Sequence, residues 1–240
     1  MISVCMATYN GEKYINAQFE SILSQLGPGD EVIVSDDNSS DKTIENIRKL
    51  QDPRIRIFMN EVTNRGYTRN FENALRHSKG DYIFLCDQDD VWHENKVTVT
   101  MAALQLCDFS VSDARVVDEN LSPIIVSHFM HSGVQKGFAE NFLKTRYIGA
   151  CMAFRRKVLD VALPFPANSQ LCAHDYWIAI VAECYFNVQL IQEPLVDYRR
   201  HQSNASSGGL TKSQFSPLHR LIKRIYCALL LIYIYPRTRK

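Results

Sequence analysis

The chain has 240 residues, enough for one substantial hydrophobic core, and its 46% hydrophobic and 22% charged residues are typical of a globular domain. The net charge is +1, but residues 211–240 contain seven Lys and Arg with neither Asp nor Glu, which leaves −6 on residues 1–210. An acidic body with a basic tail, lacking a helix-turn-helix, zinc finger or basic–aromatic stripe, argues against nucleic acid as the main partner.

The cysteines and the amino terminus indicate where the protein works. Seven cysteines are scattered along the chain without a Cys-x-x-Cys pair. An odd number at irregular spacing favours free thiols in a reducing compartment over a disulfide framework or a zinc site. The first residues lack a basic start followed by a signal-like apolar run. We therefore expect a cytoplasmic protein with a main domain over residues 1–210 and a basic tail over 211–240.

The first 106 residues alternate between strand and helix patterns. Apolar runs predict strands, and stripes at helical spacing predict helices. The strands are expected at residues 2–7, 31–35, 54–59 and 82–86, and the helices after Asn10 and at residues 41–51, 67–77 and 93–106. Asn10 is expected to cap the first helix and Asp90 the fourth. The alternation is typical of an α/β fold with a parallel sheet, which binds ligands at the carboxyl ends of its strands.

Beyond residue 106 the pattern is less regular. Residues 119–146 are expected to form a long loop with one short helix, and loops of that length are usually functional. The remaining predicted elements are strands at residues 109–112, 147–154 and 188–191 and a helix at residues 175–185. The sequence thus divides into a first half, residues 1–106, and a second half, residues 107–210.

Polar clusters follow the first, second and fourth predicted strands: Thr8-Tyr9-Asn10, residues 36–41, and Asp87-Gln88-Asp89-Asp90. In extended backbone Asp87 and Asp89 share a face, with Gln88 pointing away. Two such carboxylates repel unless a cation or a proton lies between them, and a divalent metal carrying a diphosphate suits the position. A short Asp-x-Asp also occurs in solvated turns. The three clusters meet at one sheet edge, which favours a binding site.

The motifs in this order resemble the family 2 glycosyltransferases, which have the GT-A fold. The matching stretches are Ala7-Thr8-Tyr9-Asn10-Gly11, residues 34–43, Asn64-Arg65-Gly66, Asp87-Gln88-Asp89-Asp90-Val91-Trp92, His174-Asp175-Tyr176-Trp177 and Tyr198-Arg199-Arg200-His201. The resemblance implies a Rossmann-like, mostly parallel sheet flanked by helices, with a carboxyl-terminal acceptor-side region. It also implies inverting transfer of a sugar from a nucleoside diphosphate donor to a hydroxyl, as in bacterial surface-polysaccharide enzymes such as rhamnosyltransferases.

The same resemblance assigns a role to each matching position. The donor nucleotide is expected to contact Thr8, Tyr9, Asn10, Asp37, Arg65 and Asp87, with Asp37 reading a uracil or thymine base. Asp89 and His201 are the implied ligands of Mn²⁺ or Mg²⁺, and Asp175 is the implied catalytic base. The implied acceptor-side residues are Gly149, Ala150, His174 and Trp177.

Each of these residues also has a structural explanation that the sequence leaves open. Asp175 can cap the helix that it opens, and His201 can lie in a solvated loop. Trp177 is of a type that commonly anchors a core. A nucleotidyltransferase would need a glycine-rich loop after the first strand, which Thr8-Tyr9-Asn10-Gly11 does not provide. A non-catalytic, metal-dependent carbohydrate- or nucleotide-sugar-binding protein remains the alternative to an enzyme.

The basic tail bears on the acceptor. Its apolar run at residues 226–235 is far shorter than the ~20 residues that span a bilayer. A basic, aromatic-rich segment of this kind can lie in the membrane interface, or it can pack on the body or on a second subunit. With the resemblance, the interfacial alternative implies a peripheral protein at the inner face of the cytoplasmic membrane. Its substrates would be a UDP- or dTDP-linked sugar and a lipid-linked saccharide of O-antigen or capsule synthesis.

Overall fold

A computed structural model describes residues 1–61, 63, 65–201, 204 and 216–239 of the chain. Its strands are β1 (Ile2–Thr8), β2 (Glu31–Asp36), β3 (Ile55–Met59), β4 (Tyr82–Asp87), β5 (Val91–Trp92), β6 (Phe109–Val117), β7 (Pro123–Ile125), β8 (Met152–Arg155) and β9 (Val188–Arg199). Its helices are α1 (Ile15–Leu23), α2 (Thr43–Lys49), α3 (Tyr67–His77), α4 (Lys96–Leu106), α5 (His128–Ser132), α6 (Phe138–Lys144), α7 (Arg156–Ala162), α8 (His174–Tyr185) and α9 (Pro217–Ile234). Short 3-10 turns lie at Gly149–Cys151 and Tyr235–Arg239.

One sheet runs through the body in the order β3-β2-β1-β4-β8-β6-β9-β5, with β7 beside β6. Strands β1 to β4 pair in parallel, which confirms the predicted α/β architecture. Parallel pairing returns between β6 and β9, whereas β8, β5 and β7 pair antiparallel. The sheet is therefore mixed. Strands from both sides of residue 106 belong to this one sheet, and the division of the body into two halves at that residue stays a prediction.

The predicted apolar runs form the core. Val4, Ile33 and Phe84 at the centres of β1, β2 and β4 are fully buried. The α1 residues Ile15 and Phe19 cover the sheet at helical spacing and are buried as well. Because both faces of these parallel strands are buried, their sequences are apolar and polar residues appear where the strands end. Those polar residues therefore meet at one edge of the sheet.

Two predicted helix caps are wrong. Asn10 adopts a positive φ of 48°, and its Oδ1 accepts a hydrogen bond from the backbone N–H of Ser40, so α1 begins only at Ile15. Asp90 is buried and accepts a hydrogen bond of 2.9 Å from the backbone N–H of Arg199. The short strand β5 follows Asp90, and α4 begins later, at Lys96.

The second half holds more regular structure than its sequence predicts. Residues 119–146 contain β7, α5 and α6, and α7 follows β8 without having been predicted. The predicted strand at 147–154 is a 3-10 turn that leads into the shorter β8. The last strand extends to Arg199 because β9 pairs with β6 on one side and with β5 on the other.

The tail forms the helix α9, which packs on the body through one face. Cys227, Leu231 and Ile234 are buried, and the Tyr185 hydroxyl donates a 2.6 Å hydrogen bond to the Leu231 carbonyl. The opposite face exposes an apolar stripe, which we call the outer stripe: Leu221, Ile222, Ile225, Leu229 and Ile232. Among the described residues, every helix is too short or too polar to span a bilayer.

Candidate functional site

A cleft of about 560 Å³ opens at the carboxyl edge of β1, β2 and β4. The strand register brings their ends together, because Thr8 pairs with Asp36 and Ala7 pairs with Asp87. Two walls can be distinguished. The sheet wall consists of Ala7, Thr8, Tyr9, Asp37, Asp87, Gln88 and Asp89. The loop wall consists of Thr145, Arg146, Tyr147, Ile148, Gly149, Ala173, His174 and Asp175.

Asp37 occupies a rigid position at one end of the sheet wall. Its backbone N–H donates to the Thr8 carbonyl at 2.9 Å. One carboxylate oxygen accepts from the Asn60 side chain at 3.0 Å, and the other accepts from the Gly66 backbone N–H at 2.8 Å. Gly66 has a φ of +109°, a conformation that an L side chain rarely adopts. The Asp37 carboxylate is thus held at the cleft, with lone pairs left to accept from a ligand.

The Gln88 side chain does not point away from the cleft as predicted. The strand ends at Asp87, and the chain then bends, so the alternation of an extended backbone does not continue. The Gln88 amide instead bridges to Tyr9, accepting from its backbone N–H and donating to its carbonyl, both at 2.9 Å. This bridge fixes the loop after β1 against the acidic turn.

The acidic turn lies at the middle of the cleft. Burial, together with the nearby charges of Asp89 and Asp175, raises the pKa of Asp87 to about 7. His201 Nε2 lies 2.8 Å from one Asp89 carboxylate oxygen, and the Asn204 side chain donates to the same oxygen at 3.0 Å. Arg199 ties the turn down by donating to the Asp89 carbonyl at 2.7 Å. The predicted pair Asp89 and His201 is therefore brought together across 112 residues.

These groups fit a divalent cation for which the chain would supply only part of the coordination. The raised pKa of Asp87 reflects carboxylates gathered without a compensating charge, which a cation would supply. In the described part of the chain, no cluster of three or more His, Cys, Asp or Glu side chains has the geometry of a metal site. Mg²⁺-type sites with one or two protein ligands are usual where a substrate phosphate completes the coordination.

Asp175 lies on the loop wall in the first turn of α8. The residue before the helix is Ala173, which offers no capping side chain, and one Asp175 carboxylate oxygen accepts a 2.6 Å hydrogen bond from the Tyr176 backbone N–H in the first turn. That oxygen therefore serves the start of the helix, as the capping alternative expects. Gly149 faces Asp175 closely: a Cβ at Gly149 would lie 3.3 Å from the Asp175 Cβ and 3.6 Å from His174 Nε2. The half-buried Asp175 carboxylate therefore lies beside a small space that a side chain at position 149 would occupy.

His174 is a neutral, partly unsatisfied imidazole. Burial lowers its pKa against a smaller opposing effect of Asp175. The ring stacks on Phe71 with centroids 4.2 Å apart, and its Nδ1 has no hydrogen-bond partner among the described residues. The other ring nitrogen, Nε2, lies 3.6 Å from where a Cβ at Gly149 would be, and it is the atom that can contribute a polar contact to a ligand there.

Five predicted site residues lie outside the cleft lining, and one of them, His201, reaches the site through its contact with Asp89. Trp177 is a core residue, 1% exposed, whose indole N–H donates to the Ala162 carbonyl at 2.8 Å, so the prediction of an acceptor contact is wrong. Ala150 is buried behind Gly149. Asn10 holds the loop at Ser40, and Arg65 is exposed beside Gly66. Asn64 of the same motif lies outside the described residues.

Several lining residues were missed by the sequence analysis. They are Tyr67, Asn70, Phe71, Thr145, Arg146, Tyr198 and Asn204. Tyr198 lies in a motif that the resemblance had used, and its position at the end of β9 could have suggested it. Thr145 and Arg146 belong to the loop at residues 119–146 that was expected to be functional, and the others come from a helix face and an irregular segment whose local sequence carries no sign of a ligand.

Comparison with known proteins adds to this geometry. A family model described as "Glycosyl transferase family 2" matches residues 3–162. The chain is 29% identical to the UDP-Glc:alpha-D-GlcNAc-diphosphoundecaprenol beta-1,3-glucosyltransferase of Escherichia coli, over 86% of this chain and 80% of that protein. It is 24% identical to the dTDP-rhamnosyl transferase of Shigella flexneri, over 83% of this chain and 72% of that protein.

Solved structures show the same architecture. TarS 1-349 of S. aureus, in complex with UDP-GlcNAc, superposes with a TM-score of 0.72 at 20% identity. The match covers 95% of this chain and 66% of that one. At this identity the likeness establishes a common fold, to which the carboxyl-edge cleft belongs.

Proposed function

This chain belongs to glycosyl transferase family 2, and we propose that it transfers a sugar from a pyrimidine nucleoside diphosphate to a hydroxyl of a lipid-linked saccharide in bacterial surface-polysaccharide synthesis. Family membership makes it a glycosyltransferase and sets aside the alternative of a non-catalytic sugar-binding protein. The observation that carries the proposal is the arrangement of Asp37, Asp87 and Asp175 along one cleft.

The donor lies on the sheet wall. Asp37 accepts the imide N–H of uracil or thymine, which its two fixed hydrogen bonds leave it free to do. Asp87 faces the ribose, and Thr8 and Tyr9 form the floor of the nucleotide site. The relatives support a pyrimidine donor, since the Escherichia coli enzyme is named for UDP-Glc and the Shigella flexneri enzyme for dTDP-rhamnose.

Asp89 and His201 would hold Mn²⁺ or Mg²⁺ together with the donor diphosphate. When bound, the cation neutralises the charge that develops on the leaving diphosphate. The residues of the chain have their own part in this arrangement. Arg199 holds the Asp89 backbone carbonyl, Asn204 donates to the Asp89 carboxylate, and His201 lies against that carboxylate. The carboxylate therefore meets the donor without having to reorganise.

Asp175 is the catalytic base. Inversion in one displacement requires a base on the side of the sugar opposite the leaving group, and Asp175 lines the same cleft as the nucleotide-binding residues, on the loop wall beside Gly149. It accepts the proton of the attacking hydroxyl as the transition state gains oxocarbenium character. The open space at Gly149 admits that hydroxyl, and His174 donates a hydrogen bond to the acceptor sugar.

The tail brings the enzyme to its lipid-linked substrate. The outer stripe of α9 presents five apolar residues, while Arg220 and Lys223 lie on the same helix among no acidic residues. Such a helix lies in the interface of an anionic membrane, with its other face kept on the body. Removing residues after Ser216 should release the protein from anionic vesicles in a flotation assay, and continued flotation would contradict this role.

Calorimetric binding of UDP, dTDP and GDP, each with Mn²⁺ and with EDTA, tests the donor assignment. We expect metal-dependent binding of one pyrimidine nucleotide and weaker binding of GDP. Asp89→Ala should remove the metal dependence, whereas Asp160→Ala, which removes an exposed acid on α7, should leave it unchanged. Absence of binding for all three nucleotides under both conditions would contradict the assignment.

A further inference from the structure

Among the described residues that line the cleft, Arg146 is the one Lys or Arg, whereas four are acidic: Asp37, Asp87, Asp89 and Asp175. In the described part of the chain its guanidinium takes part in no hydrogen bond or ion pair, and its side chain is half-buried. A half-buried guanidinium without a carboxylate partner is unusual, because charged groups at such positions are normally paired.

The backbone around Arg146 is held rigidly. The buried His128 ring donates from Nε2 to the Arg146 carbonyl at 2.8 Å. The next residue, Tyr147, donates through its hydroxyl to Glu183 at 2.5 Å, and Glu183 also accepts from the Gly137 backbone at 3.0 Å. The guanidinium is thus carried by a fixed segment rather than by a free loop. The position of Arg146 at the cleft is therefore fixed by the fold.

The same segment touches the tail helix. Arg224 of α9 donates to the Leu143 carbonyl, and Lys223 lies over the Tyr176 ring at 3.9 Å from its centroid. Tyr176 in turn donates from its hydroxyl to the Phe142 carbonyl at 2.7 Å. Residues 142–146 therefore connect the cleft with α9. Basic side chains are found along this connection at Lys144, Arg146 and Arg224, which we call the basic rim.

The geometry points to a phosphate subsite for the acceptor at the basic rim, with Arg146 as its main contact. The sheet wall takes the diphosphate of the donor through the carboxylates and their cation. The Arg146 guanidinium, on the loop wall of the same cleft, is available for a second anion. The group that fits is the phosphate or diphosphate through which a saccharide is attached to its lipid, since guanidinium binds such groups in a bidentate manner.

This subsite deepens the proposed function and rests on it. The acceptor saccharide enters at Asp175 and Gly149, its phosphates lie at the basic rim, and its hydrocarbon chain leaves along the outer stripe of α9. The saccharide, the phosphates and the hydrocarbon chain of a lipid-linked acceptor follow one another in that order, as do the polar cleft, the basic rim and the apolar outer stripe. An acidic sugar would also supply a carboxylate to Arg146, and octyl glucuronide is the probe that distinguishes it from a diphosphate.

Calorimetric titration of the full chain with octyl diphosphate, in EDTA and below the micelle concentration, tests the subsite. EDTA removes the cation through which the donor site takes phosphates. We expect saturable, salt-sensitive binding that Arg146→Gln weakens about tenfold or more, the size of a lost charge-assisted hydrogen bond. Arg48→Gln, an exposed arginine on α2, is the matched control and should bind as the unchanged protein does.

Four outcomes would overturn the subsite. They are no saturable binding, equal weakening in both variants, competition by UDP in EDTA, and equal or tighter binding of octyl glucuronide. Melting temperatures of the variants exclude a folding defect. Binding of UDP with Mn²⁺ is measured in parallel, because its absence contradicts the donor site while leaving the octyl diphosphate result interpretable.

Discussion

The two walls of the cleft are held in place by different kinds of interaction. The sheet wall is fixed by strand register, with Thr8 beside Asp36 and Ala7 beside Asp87. The loop wall is held in place by side-chain hydrogen bonds, chiefly those that His128 and Glu183 make to residues 137–147. A wall built on register tolerates little change, whereas a wall built on loops can vary while the sheet stays constant. We infer that the sheet wall sets the donor chemistry and the loop wall the acceptor.

The largest expected effect comes from changing Asp175, the proposed catalytic base on the loop wall. Asp175→Asn keeps the shape of the side chain but cannot accept the acceptor proton, so we expect transfer to fall by ~10²–10⁴-fold. Nucleotide binding, which depends on the sheet wall, should be unchanged. Product formation and calorimetry with UDP or dTDP measure the two quantities. Full activity in this variant would show that another group is the base.

The division between the walls also explains what the sequence could predict. Strands β1, β2 and β4 are mostly apolar runs that end in Thr8, Asp36 and Asp87, so the strands and their polar edge follow from pattern alone. The motifs gave Asp89 and His201, whose contact over 112 residues only the fold creates. The family model ends at residue 162, so support for Asp175 and His201 comes from the cleft geometry.

The loop wall escaped prediction for physical reasons. Residues 147–154 are apolar enough to read as one strand, but Gly149 turns the chain where it approaches Asp175. Arg146 follows a short helix, and its local sequence does not mark it as a ligand-binding residue. What distinguishes it is the lack of a hydrogen-bond or ion-pair partner among the described residues, which only the structure shows. Trp177 was misassigned since its motif neighbours the cleft, although helix α8 turns the indole into the core.

Gly149→Ala should weaken the loop wall alone. The new Cβ would lie 3.3 Å from the Asp175 Cβ, so the base must shift by a few tenths of an ångström. Since a displacement of about 1 Å can cost ~10²-fold, we expect kcat to fall about tenfold. The donor KM and UDP affinity should not change. A loss of nucleotide affinity instead would mean that the two walls are mechanically coupled.

Gly66→Ala is the corresponding change on the sheet wall. At a φ of +109° an alanine is strained by about 1–2 kcal/mol, and Gly66 donates its N–H to Asp37. We expect UDP or dTDP affinity to fall three- to tenfold, with kcat at saturating donor nearly unchanged. Calorimetry and initial rates on both glycine variants form one experiment. A swap of their effects would reverse the assignment of donor and acceptor to the walls.

The smallest effect concerns the strand that carries His201 to the sheet wall. Burial favours a raised pKa for Asp197 of β9, but hydrogen bonds from His93 and Arg115, at 2.9 and 2.6 Å, outweigh it and lower the pKa to about 2. A carboxylate with a lowered pKa stabilises the fold above its ordinary pKa near 3.8, and that contribution is lost as pH falls toward 2.

Between pH 4 and 2 we therefore expect the free energy of unfolding to fall by about 1 kcal/mol on account of Asp197, after allowance for solvent screening. Asp197→Asn should flatten this part of the pH profile measured by urea unfolding, and Asp160→Asn, at an exposed position, should not. Because β9 joins the turn at Asp89 through Arg199, the same variant should loosen metal-dependent nucleotide binding before it affects the loop wall. An unchanged profile would mean that Arg115 and His93 do not hold β9 through this carboxylate.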